Sequence, residues 1–79
     1  MAKSLHTNAW RHLLRQLIDL RRAAGLTQED VAKQIGRTQS FVSKIERGER
    51  RLDVLEFCQW AQIVNGDPTE IIAGVMQND

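Results

Sequence analysis

Apolar residues along this chain return every three or four positions and almost never at alternate ones. Trp10, Leu13, Leu14, Leu17, Leu20 and Ala24 form one such stripe, the mark of an amphipathic helix. Thr7 or Asn8 can cap its start and Gly25 stands where a helix stop belongs, so the pattern predicts a helix over about 8–24. Thr27, with Asp30 three residues on, opens a second over 28–35; Val31, Ala32 and Ile35 face inward and Gly36 ends it. Thr38 caps a third over 39–47, with Phe41 or Val42 and Ile45 on its inner side and Gly48 as its stop. Asp53 and Glu56 make a further capping pair ahead of a helix over 54–64 that is apolar on more than one side. Asp67-Pro68-Thr69 starts the last, over 68–76, where proline is tolerated in a first turn. With no strand pattern, linker or repeat, residues 1–79 read as one all-α, five-helix domain.

The second and third segments are too short to fold alone, and only Gly36 and Arg37 separate the second from the cap of the third. Glycine tolerates the positive φ that so sharp a turn demands. The small Ala32 lets the third helix cross close over the second. This is a helix-turn-helix pattern, whose second helix offers its N-terminal residues to the DNA major groove.

Charge sharpens that picture. The net charge of +1 conceals a division: all eleven Lys and Arg lie in residues 1–51 with five acids, while residues 52–79 hold five acids and no Lys or Arg. The first part therefore carries six positive charges in excess and the second five negative ones. Such a split suits one face for a polyanion and another that stays away from it. The plainer reading is a chance arrangement on a solvated surface.

Other chemistry is sparse. The single cysteine, Cys58, cannot form an internal disulfide, fits a reducing compartment and reads as a small core residue in FCQWAQIV. No stretch approaches the roughly 18 apolar residues of a membrane span. The segment MAKSLHTNAWRHLLRQ lacks the apolar run of a signal peptide, so a cytoplasmic protein is expected. His6 and His12 have no cysteine or carboxylate grouped around them and read as surface residues rather than metal ligands. No nucleophile–base pair or phosphate-cradling glycine loop occurs, so neither enzyme activity nor a cofactor or small-molecule ligand is expected. The five glycines read mainly as helix stops.

The spacing LR-x4-LTQ-x2-VA-x3-G-x5-VSKIE-x-GE-x-R, from Leu20 to Arg51, resembles the phage-repressor and Cro type of helix-turn-helix family, the XRE family. The resemblance extends from Leu17 to Ile72, nearly the whole chain, and implies a lambda-repressor-like domain. It implies base reading by Thr38, Gln39, Ser40, Ser43 and Lys44 on the third helix. Gln39 can bond bidentately to adenine, Lys44 can donate to guanine, and the Thr38 methyl can touch thymine. It implies phosphate contacts by Gln28 at the start of the second helix and by Arg37, Arg47, Arg50 and Arg51 around the third. Arg21 and Glu46 match the positions of a buried ion pair in this family, a structural role. Each has a plainer competitor. Gln39 and Ser40 can be solvated first-turn residues, Lys44 can touch phosphate alone, Arg50 and Arg51 lie in a loop, and Phe41 can pack at the rim instead of on a thymine methyl. The sequence departs from the common pattern at Leu52-Asp53, where many members carry Pro-Ser; Asp53 still caps, but it brings a carboxylate close to the DNA rim.

Two functions follow from different classes. The first is a sequence-specific DNA-binding regulator, a bacterial or phage repressor. One short helix reads only roughly four to six base pairs, so a homodimer on a palindrome is expected, joined through the last two helices. The second is a protein-interaction module, such as an antitoxin or bridging factor, using the same fold.

Overall fold

The computed structural model describes residues 7–77 and arranges them as α1 (Asn8–Ala23), α2 (Gln28–Ile35), α3 (Gln39–Glu46), α4 (Val54–Ile63) and α5 (Pro68–Gln77). No strand occurs among the described residues. The helices open on side chains that satisfy backbone N–H groups with no partner inside the helix. Thr7 Oγ1 accepts from the Trp10 N–H at 3.1 Å and Thr38 Oγ1 from the Phe41 N–H at 3.2 Å. Thr27 and Asp30 close a reciprocal box, with bonds of 3.0 and 2.9 Å. Asp53 and Glu56 close another, at 2.7 and 3.1 Å. Asp67 accepts from the Thr69 N–H at 2.9 Å ahead of α5.

The first four helices stop in the same way. Beyond each last turn comes a residue of positive φ: Gly25, Gly36, Gly48 and, after α4, Asn65 at 61°. Each is followed by a backbone bond reaching back to the last turn, as Arg37 N–H donates to Ala32 O at 2.9 Å. Ala24, Arg47 and Val64, expected as helical, are the residues on which these stops begin. Asparagine tolerates the left-handed region better than most side chains do, which leaves Gly66 a different duty. A Cβ on Gly66 would come within 2.9 Å of the Leu20 side chain and 3.2 Å of Ile71.

Leu13, Leu14 and Leu17 of α1, Val31 and Ala32 of α2, and Phe41, Val42 and Ile45 of α3 form one core with Phe57, Trp60 and Ala61 of α4, Val64 just beyond it, and Ile71 of α5. Trp60, Ile45, Val31 and Val42 are fully buried, each worth roughly 1.5–3 kcal/mol or more by removal from water. Ala24 does not extend the α1 stripe inward; it is exposed. Gly74 lies inside α5, as the expected helix over 68–76 placed it, and a Cβ there would sit 3.4 Å from His12 Nε2 and 3.5 Å from Gln16 Nε2. Those are ordinary contact distances at side-chain ends, so α5 crosses α1 closely here without requiring glycine. His12 is accordingly half-buried at this crossing, with Nε2 enclosed, and is not the surface residue expected of it. His6 lies outside the described residues.

Candidate nucleic-acid interface

Two neighbours hold α3. Its inner residues Phe41, Val42 and Ile45 are buried against α2 and α1, so its opposite side must face solvent. Thr38, Gln39, Ser40 and Lys44 are exposed there and Ser43 is half-exposed. These five side chains therefore share one ridge, the first turn and the turn above it, on a helix whose back cannot move without disturbing the core.

The bend between α2 and α3 is set at Gly36. Its φ of 82° turns the chain, and the bonds from Gly36 N–H to Lys33 O at 3.2 Å and from Arg37 N–H to Ala32 O at 2.9 Å lock the turn. Ala32, 2% exposed, leaves room for α3 to cross.

Beneath the crossing lies an ion pair. Arg21 Nε donates to Glu46 Oε2 at 2.7 Å and its Nη2 to Oε1 at 3.1 Å, while Nη1 donates to Leu26 O at 2.8 Å. The two side chains are 9% and 7% exposed, which ties α1 to the end of α3. Gln28 enters the same network. Its Nε2 donates to Glu46 Oε1 at 2.9 Å, and its Oε1 accepts from Gln39 Nε2 at 3.4 Å. Thus Gln28 does not simply point an amide outward toward phosphate; one of its N–H groups is held by a buried carboxylate. With that bond fixing which end of the amide faces Gln39, Gln39 keeps one N–H and its oxygen for an outside partner, the pair that an adenine edge requires.

Four arginines surround α3. Arg47 is exposed and pairs with Glu49 at 3.2 Å, a contact water largely screens. Arg51 is exposed in the loop. Arg37 and Arg50 are more constrained: both meet Glu56 of α4, at 3.1 and 3.3 Å, and both guanidinium groups lie on the Phe41 ring, 4.0 and 4.5 Å from its centre. The sequence suggested only a cap at Glu56. Two arginines beside a loop and an acid three residues past a cap were visible, but the approach of Arg37, nineteen positions away, depends on the α2·α4 packing. Phe41, 6% exposed, packs inward beneath these arginines.

Elsewhere the surface offers little chemistry. No helix among the described residues is long and apolar enough to cross a membrane, and none of their His, Cys, Asp and Glu side chains group to hold a metal ion. Cys58 is partly buried and lines an apolar groove of about 450 Å³ together with Leu13, Leu52, Val54, Phe57 and Ile72. Beside it Val54, Leu55 and Met76 are each 75% exposed and Ile72 42%.

Residues 12–71 match the family described as Helix-turn-helix domain. That match takes in the whole site just described and reaches into all five helices. The chain belongs to this helix-turn-helix family. Within it the likeness is to the XRE type. An XRE-family like protein from Pseudomonas syringae pv. tomato superposes with a TM-score of 0.85 and 41% identity, over 95% of this chain and 92% of that one. The restriction-modification controller protein C.AhdI from Aeromonas hydrophila superposes with a TM-score of 0.71 and 29% identity, over 84% of this chain and 99% of that one. In sequence, an uncharacterised HTH-type transcriptional regulator, y4dJ, of Sinorhizobium fredii is 38% identical over 53 residues, 67% of this chain and 69% of its own. At the level of class, this XRE-type chain is a DNA-binding protein of transcription regulation.

Proposed function

We propose that the chain is a transcriptional repressor that reads an operator through the exposed ridge of α3. The observation that supports this best is the fixed outward presentation of Thr38, Gln39, Ser40, Ser43 and Lys44 on a helix anchored by its back. Gln39 takes an adenine edge, Lys44 takes guanine O6 and N7, and Thr38 and Ser40 fill the positions between. Arg37, Arg47, Arg50 and Arg51 take phosphates on either side, with the start of α2 at Gln28 supplying backbone donors. Repression follows from occupancy, since a protein seated on an operator excludes polymerase from the same groove.

A ridge of this length reads too little sequence for one protomer to suffice. The protein acts as a homodimer on a palindrome, with half-sites about 34 Å apart. The contact is the apolar area of α4 and α5, where Val54, Leu55, Ile72 and Met76 stand exposed and Lys and Arg are absent. Association there hides apolar area from water and keeps the acidic end of each chain off the DNA.

Selection of bound duplexes from a random library tests the reading. The expected result is a two-fold symmetric site. With about four to six phosphate contacts per protomer, log affinity falls with log salt at a slope near −0.9 per contact. A flat slope with no preferred site would favour the protein-interaction reading, in which the acidic C-terminal segment binds another protein. Light scattering that found one protomer per site would remove the dimer.

A further inference from the structure

Glu56 poses a problem for any phosphate-binding face. It is a carboxylate placed among the arginines that flank α3, and charge alone says that it should repel DNA. It is also 8% exposed, so it sits there at a desolvation cost. Both of its oxygens accept hydrogen bonds. Oε2 accepts from Arg37 Nη1 at 3.1 Å; Oε1 accepts from Arg50 Nη1 at 3.3 Å and from the Asp53 N–H at 3.1 Å. Arg37 immediately precedes the cap of α3 and Arg50 follows its end, so one carboxylate holds an arginine at each end of the reading helix. Both guanidinium groups rest on the ring of Phe41, which belongs to α3 itself.

We infer that Glu56 is a positioning residue for DNA binding, which acts by freezing Arg37 and Arg50 in place before DNA arrives. The inference rests on the DNA-reading proposal above and adds to it the residue that pre-arranges the phosphate contacts. An unrestrained arginine loses rotamer freedom when it grips a phosphate. Two arginines already seated on an aromatic ring and a buried carboxylate have lost it beforehand. The arginine side chains remain 44% and 38% exposed, and each guanidinium has five N–H donors, so pairing with Glu56 leaves donors for a phosphate oxygen. The cluster of two cations and one anion keeps a single positive charge. Glu56 thereby exchanges one unit of attraction for fixed geometry at both ends of α3.

Charge counting and positioning predict opposite signs, which makes the test sharp. Glu56→Gln keeps a side chain that can serve the capping box but removes the negative charge. Affinity of the full chain is measured by fluorescence anisotropy, over a salt series, on the duplex recovered by selection and on a scrambled duplex. The expected result is weaker binding of the selected duplex, on the order of tenfold. The scrambled duplex should lose less, and the slope on the selected one should become shallower by about 0.9 for each phosphate that the variant no longer neutralises. In a background carrying Arg37→Ala and Arg50→Ala, Glu56→Gln should then lose its effect, because neither of the two arginines it is inferred to place remains. Binding equal to or tighter than that of the unaltered chain would overturn the inference. So would an equal loss in the background without the two arginines, which would mark Glu56 as merely structural. Should Glu56→Gln fail to fold, Arg37→Lys decides the matter: it keeps the charge but loses the planar fork and its seat on Phe41, and unchanged affinity would refute the positioning role. If the unaltered chain itself prefers no duplex, the regulator reading fails first and the inference falls with it, a result separable from failure of the variants alone.

Discussion

Replacing Glu46 by alanine tests the frame on which α3 stands. In the structure this carboxylate accepts from Arg21 twice, at 2.7 and 3.1 Å, and from Gln28 at 2.9 Å. Truncation leaves the Arg21 guanidinium, on a side chain 9% exposed, with Leu26 O as the one remaining partner of the three bonds it made. Removing one member of a buried pair costs about 3–5 kcal/mol, because the charge left behind stays desolvated and unpaired. A chain of 79 residues has a total stability of roughly 4–12 kcal/mol. The loss therefore consumes a large fraction of what holds the molecule folded. With a denaturant slope of about 1 kcal/mol per molar urea, expected of so small a protein, the midpoint should fall by about 3 M or more. Urea titrations followed by far-ultraviolet circular dichroism and by tryptophan fluorescence provide the measurement, and both probes should move together. A companion, Arg21→Met with Glu46→Leu, removes both charges and should recover most of the loss, since well-packed apolar replacements avoid the desolvation cost. If Glu46→Ala stays within about 1 kcal/mol of the unaltered chain, water reaches the pair and the argument from burial is wrong.

Four further substitutions probe separate links of the reasoning. Lys44→Ala should weaken operator binding by about 1–3 kcal/mol and relax preference at one base position; an equal loss on every duplex would assign Lys44 to phosphate alone. Two glycines should respond with opposite signs. Gly36→Ala places a Cβ at φ 82° with open space around it, so it should cost about 1–2 kcal/mol through backbone strain alone. Gly74→Ala meets only side-chain ends at 3.4 and 3.5 Å within a helix and should stabilise by up to about 1 kcal/mol, both read as shifts in thermal midpoint. Finally, the Thr27 backbone and hydroxyl contacts hold the Asp30 carboxyl below its ordinary range. Its folded pKa is thus lower than its unfolded one, so its contribution is present above about pH 4 and lost as pH falls through the lowered value. The gap in melting temperature between the unaltered chain and Asp30→Asn should hold steady from neutral pH to about pH 5 and close below about pH 4.

What the chain declares about itself is local. The caps at Thr27, Thr38 and Asp53 act on N–H groups three residues away, and the stops after the first four helices join residues no more than five apart. Contacts that short leave their mark in adjacent letters, which is why the five helices and the turn at Gly36 were readable within a residue. The exposed ridge of α3 was readable for the same reason, because period and capping together dictate which side a helix turns outward. Other features required the packed molecule. Gly74 lies inside the last expected helix with no partner evident until α1 crosses beneath it, and His12 looks exposed until α5 covers it. Gln28 reads as a phosphate contact, yet its amide is oriented by Glu46, eighteen positions on. Glu56 reads as a cap; only the packing of α4 against α2 brings Arg37 to it from the far end of the turn. Pairings at such separations are selected by the shape of the whole core, and no run of neighbouring residues encodes them.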